Sequence, residues 1–164
     1  MMKLLLVVLC VAYASSRDIK LVEEMSVVNS DVSSENDFGV FTNCGKSQLS
    51  GMWTPKVIST HGQVTVDVNF TAPYDMDGGF ADVAVYRHAD HVKVVEYGTP
   101  FSCEEIVKYI PCPLKKGQVI TLHNTIPDLS QLSGYQGVFD IETYVNNDDD
   151  QQLLCVRATV TVTR

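Results

Sequence analysis

The chain has no apolar run long enough to cross a bilayer. Its longest, Leu4 to Val11, would make a helix of about 12 Å, against a hydrocarbon core of about 30 Å. It is also poor in positive charge: 12 Lys and Arg stand against 20 Asp and Glu in 164 residues, a net charge of −8. That balance excludes a sequence-independent grip on nucleic acid, which needs many cations to neutralise phosphates. It equally excludes docking to anionic membranes through overall charge. Catalytic signatures are missing: there is no G-x-S-x-G elbow, no H-E-x-x-H and no glycine-rich phosphate loop. The four histidines, His61, His88, His91 and His123, fall at strand ends or in turns, and His88-x-x-His91 reads as solvated surface rather than a metal pair. Asp148-Asp149-Asp150 lacks the glycine and distal glutamate of a calcium loop and reads as a hydrophilic hairpin tip. The residues therefore imply no metal, no cofactor and no enzyme. The antibody-type sandwich signature is missing too. The single tryptophan, Trp53, lies nine residues after Cys44, and Phe101 and Leu153 occupy the places where a tyrosine would precede the second cysteine.

What is present begins with a leader. Met1-Met2-Lys3 is basic, Leu4 to Val11 apolar, and Ala12-Tyr13-Ala14 has the small-x-small form of a cleavage site, so residues 1–14 read as a secretory signal peptide. Its removal takes away Lys3 alone among the charged residues and leaves a net charge of −9. Cys10 goes with it. Cys44, Cys103, Cys112 and Cys155 remain, an even number in an oxidising compartment, which implies two disulfides with three connectivities open. Their spacings contain no C-x2-C or C-x4-C pair, against a zinc site.

Residues 15–37 are rich in Ser, Asp, Glu and Asn without a sustained period, and read as a propeptide, an N-terminal arm or one early strand. From Phe38 to Arg164 the composition is that of strands, with 21 Val and 12 Thr against 8 Leu after the leader. Val64, Val66, Val68 and Phe70 alternate with Thr65, Asp67, Asn69 and Thr71. Val83 and Val85 alternate likewise, as do Leu154, Val156, Ala158, Val160 and Val162. Further strands are expected at about 39–43, 52–60, 91–97, 118–124 and 137–146. Turn chemistry at Asp77-Gly78-Gly79, His88-Ala89-Asp90, Lys116-Gly117 and 146–150 separates them. Seven or eight short strands at this spacing predict a two-sheet sandwich. One segment departs from the pattern: Ser102-Cys103-Glu104-Glu105 has the form of a capping box, and the apolar stretch after it stops at Pro111, which predicts a short helical turn. Asn69-Phe70-Thr71 is an N-glycosylation sequon on the outward strand face.

Phe101-Ser102-Cys103-Glu104-Glu105-Ile106 and Pro111-Cys112-Pro113-Leu114-Lys115-Lys116-Gly117 together resemble the C-E-E … C-P-(I/L)-x-K-G signature of the ML lipid-recognition family, and within it the phosphatidylglycerol/phosphatidylinositol transfer branch. Ile126-Pro127, Gly137-Val138-Phe139, the acidic turn at 148–150 and Leu154 to Val160 agree, and Cys44-Gly45 stands where the family has its first cysteine. Ser102 departs from the branch, and residues 128–136 lengthen the loop after Ile126-Pro127. The resemblance covers about 38–164. It implies an all-β, two-sheet immunoglobulin-like β-sandwich with a lipid cavity between the sheets, and the pairs Cys44–Cys155 and Cys103–Cys112. The expected cavity lining is Val64, Val66, Val68, Phe70, Val83, Val85, Ile106, Tyr109, Ile110, Phe139, Ile141 and Val160. Lys108, Lys115 and Lys116 are the expected headgroup contacts at the mouth. The function so implied is binding of a phospholipid or sterol and its transfer between membranes, by a monomer in transient membrane contact, secreted or in the endolysosomal lumen. The alternative is a recognition protein that presents a lipid to a receptor, for which a large exposed apolar patch would speak.

Overall fold

The computed structural model describes residues 37–107 and 109–164; the segment read as a signal peptide, and all but the last residue of the proposed arm, lie outside it. Ten strands follow in chain order: β1 Gly39–Val40, β2 Thr42–Asn43, β3 Gln48–Thr54, β4 Val57–Ser59, β5 Val64–Thr71, β6 Gly78–Arg87, β7 Val92–Ser102, β8 Val119–Ile126, β9 Gly137–Asn147 and β10 Gln152–Thr163. One helical turn, α1 (Cys103–Ile106), follows β7, and a 3-10 turn at Ser130–Leu132 precedes β9. The first sheet has the order β1-β3-β5-β8, and the second β2-β10-β9-β6-β7, with β4 joined in parallel to β10.

Valine and threonine alternate on these strands because each strand has one face between the sheets and one in water. Val64 and Val66 are buried while Thr65 and Asp67, which alternate with them, are not, and on β10 Ala158, Val160 and Val162 are buried while Arg157 and Thr159 are exposed. Outward positions are tied across strands by polar pairs, among them the Thr65 and Thr125 hydroxyls at 2.9 Å.

The chain changes sheets within one residue, Phe41, which lies between β1 in the first sheet and β2 in the second. Phe41 packs on Trp53 with ring centroids 5.1 Å apart. Gly39 lies so close to the Trp53 indole that a Cβ there would fall 2.0 Å from the ring, so only glycine fits. The Trp53 end of this side is therefore closed, and the Cys44–Cys155 bridge ties β2 to β10 beside it. On the other side β8 and β7 are the terminal strands of their sheets.

Three local expectations are corrected. Gly78 and Gly79 lie inside β6 rather than in a turn: a Cβ on Gly79 would meet the Asn146 carbonyl at 2.0 Å, so the glycines serve close strand approach. The strand expected over 52–60 is two, β3 and β4, broken at the cis Thr54–Pro55 bond. The strand expected to end at Tyr97 continues to Ser102, because Gly98 and Pro100 sit on an edge strand, where a lost donor goes unmissed. The capping box is present. The Ser102 N–H donates to Glu105 Oε2 at 2.8 Å and its hydroxyl to the same oxygen at 3.2 Å, while Ile106 is buried.

The interior divides along the strand axis. One cluster gathers Trp53, Ile58, Val64, Val66, Val83, Val85, Phe139, Ile141 and Val160 with their neighbours. A second, at the α1 end, holds Ala72, Met76, Ile106, Leu114, Ile120 and Leu153.

Candidate functional site

Between the sheets apolar side chains converge from both walls, and the two sides of this space differ. Towards β1 and β3 Trp53 is only 2% exposed and packs on half-buried Phe41, while Leu49 and Gly51 further along β3 are half-buried. Towards β7 and β8, Tyr97, Thr99 and Phe101 on β7, Leu122 and Asn124 on β8, and Val68 and Phe70 on β5 all point inward by register yet are only half-buried. Half-burial of a continuous inward row describes a seam between the two terminal strands, leading to the boundary of the two apolar clusters.

The resemblance-implied lining falls on both sides of that boundary. Val64, Val66, Val83, Val85, Phe139, Ile141 and Val160 belong to the first cluster, with Val68 packed against it. Ile106 belongs to the second, with Phe70 and Ile110 packed against it, and Tyr109 is half-buried nearby in sequence. Eleven of these twelve residues thus belong to, or pack against, one of two apolar groups that meet between the sheets. An apolar cavity of about 30 Å³ lies at the end of the first cluster, lined by Ile58, Leu132, Tyr135, Phe139, Ile141, Val160 and Val162. Ligand pockets are usually about 300–1,000 Å³, so this cavity by itself does not hold an acyl chain. Leu132 and Tyr135 come from the 128–136 extension. The i, i+3 spacing of Leu129 and Leu132, both buried, was the signal that this segment covers the core.

Lys108 lies outside the described residues. Lys115 and Lys116 are exposed and both engage Asp75: Lys115 Nζ lies 3.0 Å from Oδ2, and the Lys116 N–H donates to Oδ1 at 2.8 Å. The Lys116 backbone bond, then the Lys115 side chain, hold the Asp75 carboxyl below its ordinary value. The ammonium that was to meet a headgroup thus has a carboxylate beside it already. Cys103–Cys112 closes the small ring that carries α1, and the Met76–Leu114 bridge, with N–H···O bonds of 3.0 and 2.8 Å, fastens the segment after it to the body. Both disulfide pairs are those the resemblance implied. Asn69 is exposed on the outer face of β5, its Oδ1 accepting from the Thr121 hydroxyl at 2.7 Å.

The outer faces carry two histidine–carboxylate pairs, His88 with Asp140 at 2.8 Å and His123 with Asp67 at 2.5 Å. Burial would raise the Asp140 carboxyl, but hydrogen bonds donated by Thr159 and His88 outweigh it and hold the group below its ordinary value. These pairs stand apart from one another, and no cluster of three metal-ligating side chains occurs among the described residues.

The geometry has counterparts among solved structures. Chicken MD-1, solved in complex with lipid IVa, superposes with a TM-score of 0.56 at 19% identity, over 79% of this chain and 94% of that one. A Niemann-Pick type C2 protein from the Japanese carpenter ant gives 0.55 at 21% identity, over 76% and 99%. Both likenesses are of fold. No curated protein matches the sequence significantly. The family model described as the ML domain matches residues 40–162, which span β1 to β10, both disulfides and both walls of the seam, and the chain belongs to the ML domain family.

Proposed function

We propose that this protein is a non-enzymatic lipid carrier of an oxidising compartment, secreted or endolysosomal, that takes an amphiphile between its sheets through the β7–β8 side and moves it between membranes as a monomer. The observation that carries the reading is the asymmetry of the sandwich: one side is tied by the chain crossing between the sheets at Phe41, by Phe41 on Trp53 and by the Cys44–Cys155 bridge, while the other is a half-buried row between two terminal strands. Because one side is tied, separation takes place at the other, and each methylene then buried contributes about 0.8 kcal/mol. No catalytic group is needed for that. MD-1 with its bound lipid IVa supports the reading by fold alone.

The test is to purify the secreted protein, extract it for lipid, and measure transfer of fluorescent lipid between donor and acceptor vesicles. A one-to-one lipid complex and protein-dependent transfer are expected. A protein that carries no lipid and accelerates no transfer overturns the reading. The second reading, presentation of a lipid to a receptor, is favoured by one observation: Val40 and Met52, paired on β1 and β3, face outward at 57% and 42% exposure beside exposed Phe38. Lipid retained by the protein but never delivered to vesicles would select it.

A further inference from the structure

Thr143 occupies the middle of β9, between Ile141 and Val145 on the strand's inward face. It is fully buried, and its hydroxyl oxygen has no hydrogen-bond partner among the described residues. A buried hydroxyl left without a partner is unfavourable, and valine would fill the same space at no such cost. Ser47 and Thr60 share the condition, but both lie in turns outside the strands. Thr143 faces the space between the sheets.

Its surroundings extend the pattern. Across the second sheet Val156, Thr143, Val83 and Tyr97 form one rung, so Thr143 and Tyr97 stand on the same level, the first inside and the second at the open side. From the first sheet Asn124, opposite Val66 on β8, also points inward and is half-buried. These are a hydroxyl, a phenol and a carboxamide, all uncharged. The inward positions of the two terminal strands carry no charged side chain: Val95, Tyr97, Thr99 and Phe101 on β7, and Ile120, Leu122, Asn124 and Ile126 on β8. A phosphate or carboxylate drawn into this seam would be buried without a cation. Lys115, the described lysine nearest the ring, is engaged by Asp75.

We infer, resting on the carrier reading, that the ligand is an amphiphile with a small, uncharged, hydroxyl-bearing polar group, and that this hydroxyl is received by Thr143 Oγ1, with Asn124 and Tyr97 furnishing hydrogen-bonding groups along its approach. The ligand supplies the partner that the protein withholds from Thr143. An anionic phospholipid headgroup is excluded from that position and can at most remain outside it.

The experiment uses the full secreted chain and its variant Thr143→Val, which replaces the hydroxyl by a methyl of the same shape. Binding is measured for two matched pairs, a fluorescent 3β-hydroxy sterol with its acetate and monoolein with methyl oleate, and for phosphatidylglycerol. The wild type is expected to prefer the hydroxylated member of the pair it binds by about tenfold. Thr143→Val should reduce that preference below about threefold while binding the masked member as the wild type does. Thr143→Ser, which keeps the hydroxyl, should keep the preference. If Thr143→Val retains the preference, or if the wild type binds phosphatidylglycerol more tightly than the neutral lipids, this inference is overturned and the carrier reading stands. If the wild type binds none of the five, the carrier reading itself falls.

Discussion

Val66 and Val68 are successive inward positions on β5, and the structure assigns them opposite tolerances. Val66 is 7% exposed, flanked by Trp53 and Asn124 across the neighbouring strands, and packed within the first cluster. It does not line the small cavity, and a larger side chain there meets the packed neighbours of that cluster. Val66→Phe should cost about 1–3 kcal/mol, the usual range for overpacking a close-packed core. For a domain of this size that lowers the melting temperature of delipidated protein by about 3–12 °C. Val68 lies two residues along, half-buried, where the row opens towards β7 and β8. Val68→Phe can turn its ring into that seam and should cost less than about 1 kcal/mol. Transfer should show the reverse order: Val68→Phe obstructs the entry and abolishes most transfer per folded molecule, whereas Val66→Phe loses mainly folded protein. The assay pairs thermal melting of lipid-stripped protein with vesicle transfer normalised to folded fraction. Equal melting losses in the two variants, with transfer by Val68→Phe intact, would refute the reasoning, because the Val68 level would then be as closed as the Val66 level.

The two disulfides should differ in worth. Their sequence separations of 111 and 9 residues give about 4.8 and about 2.6 kcal/mol of unfolded-chain restriction in the loop-entropy model, so Cys44→Ser/Cys155→Ser should destabilise by about 2 kcal/mol more than Cys103→Ser/Cys112→Ser, as read from denaturant melts. Equal losses would place the value of the short bridge in native-state packing of the ring instead. Acid should act late. Asp75, Asp90, Asp128 and Asp140 are all held below the ordinary value of 3.8, so their contribution is complete above that value and is lost as pH falls through their lowered ones. Melting temperature should therefore hold from pH 7 to pH 5 and fall below about pH 4; because these groups are largely exposed the decline should be modest, and a steep loss already at pH 5 would contradict the assignment.

The sandwich was legible because period-two alternation on β5, β6 and β10 needs only two environments, and valine and threonine sort into them strand by strand. The cysteine-bearing segments carried the family resemblance and, through it, the two pairings. What was not legible depended on which strands end up at a sheet's edge. Tyr97 and Asn124 look like ordinary strand residues until the sheet order makes β7 and β8 terminal. Thr143 falls on the same strand face as Phe139 and Ile141, but nothing in the sequence tells that its hydroxyl is buried without a partner. The lysines near the second cysteine pair looked available because Asp75, roughly forty residues away in sequence, meets Lys115 only in the folded chain. Gly78-Gly79 reads as a turn for the same reason: the Asn146 carbonyl that demands glycine is distant in sequence.

The terminal position of β7 has a bearing on how the protein survives as a solute. An eleven-residue strand at a sheet margin offers a row of unpaired backbone groups to any other extended chain, and the more readily the margin gapes for a ligand, the longer that row is on view. β7 interrupts the offer at intervals. Lys93 puts a charge near its start, the register slips opposite Val85 and Tyr86, Gly98 weakens the extended run, and Pro100 removes an N–H outright. A strand so punctuated is a poor template for pairing with a second extended chain, and the residues that made it hard to recognise as one continuous strand are the ones that blunt its edge.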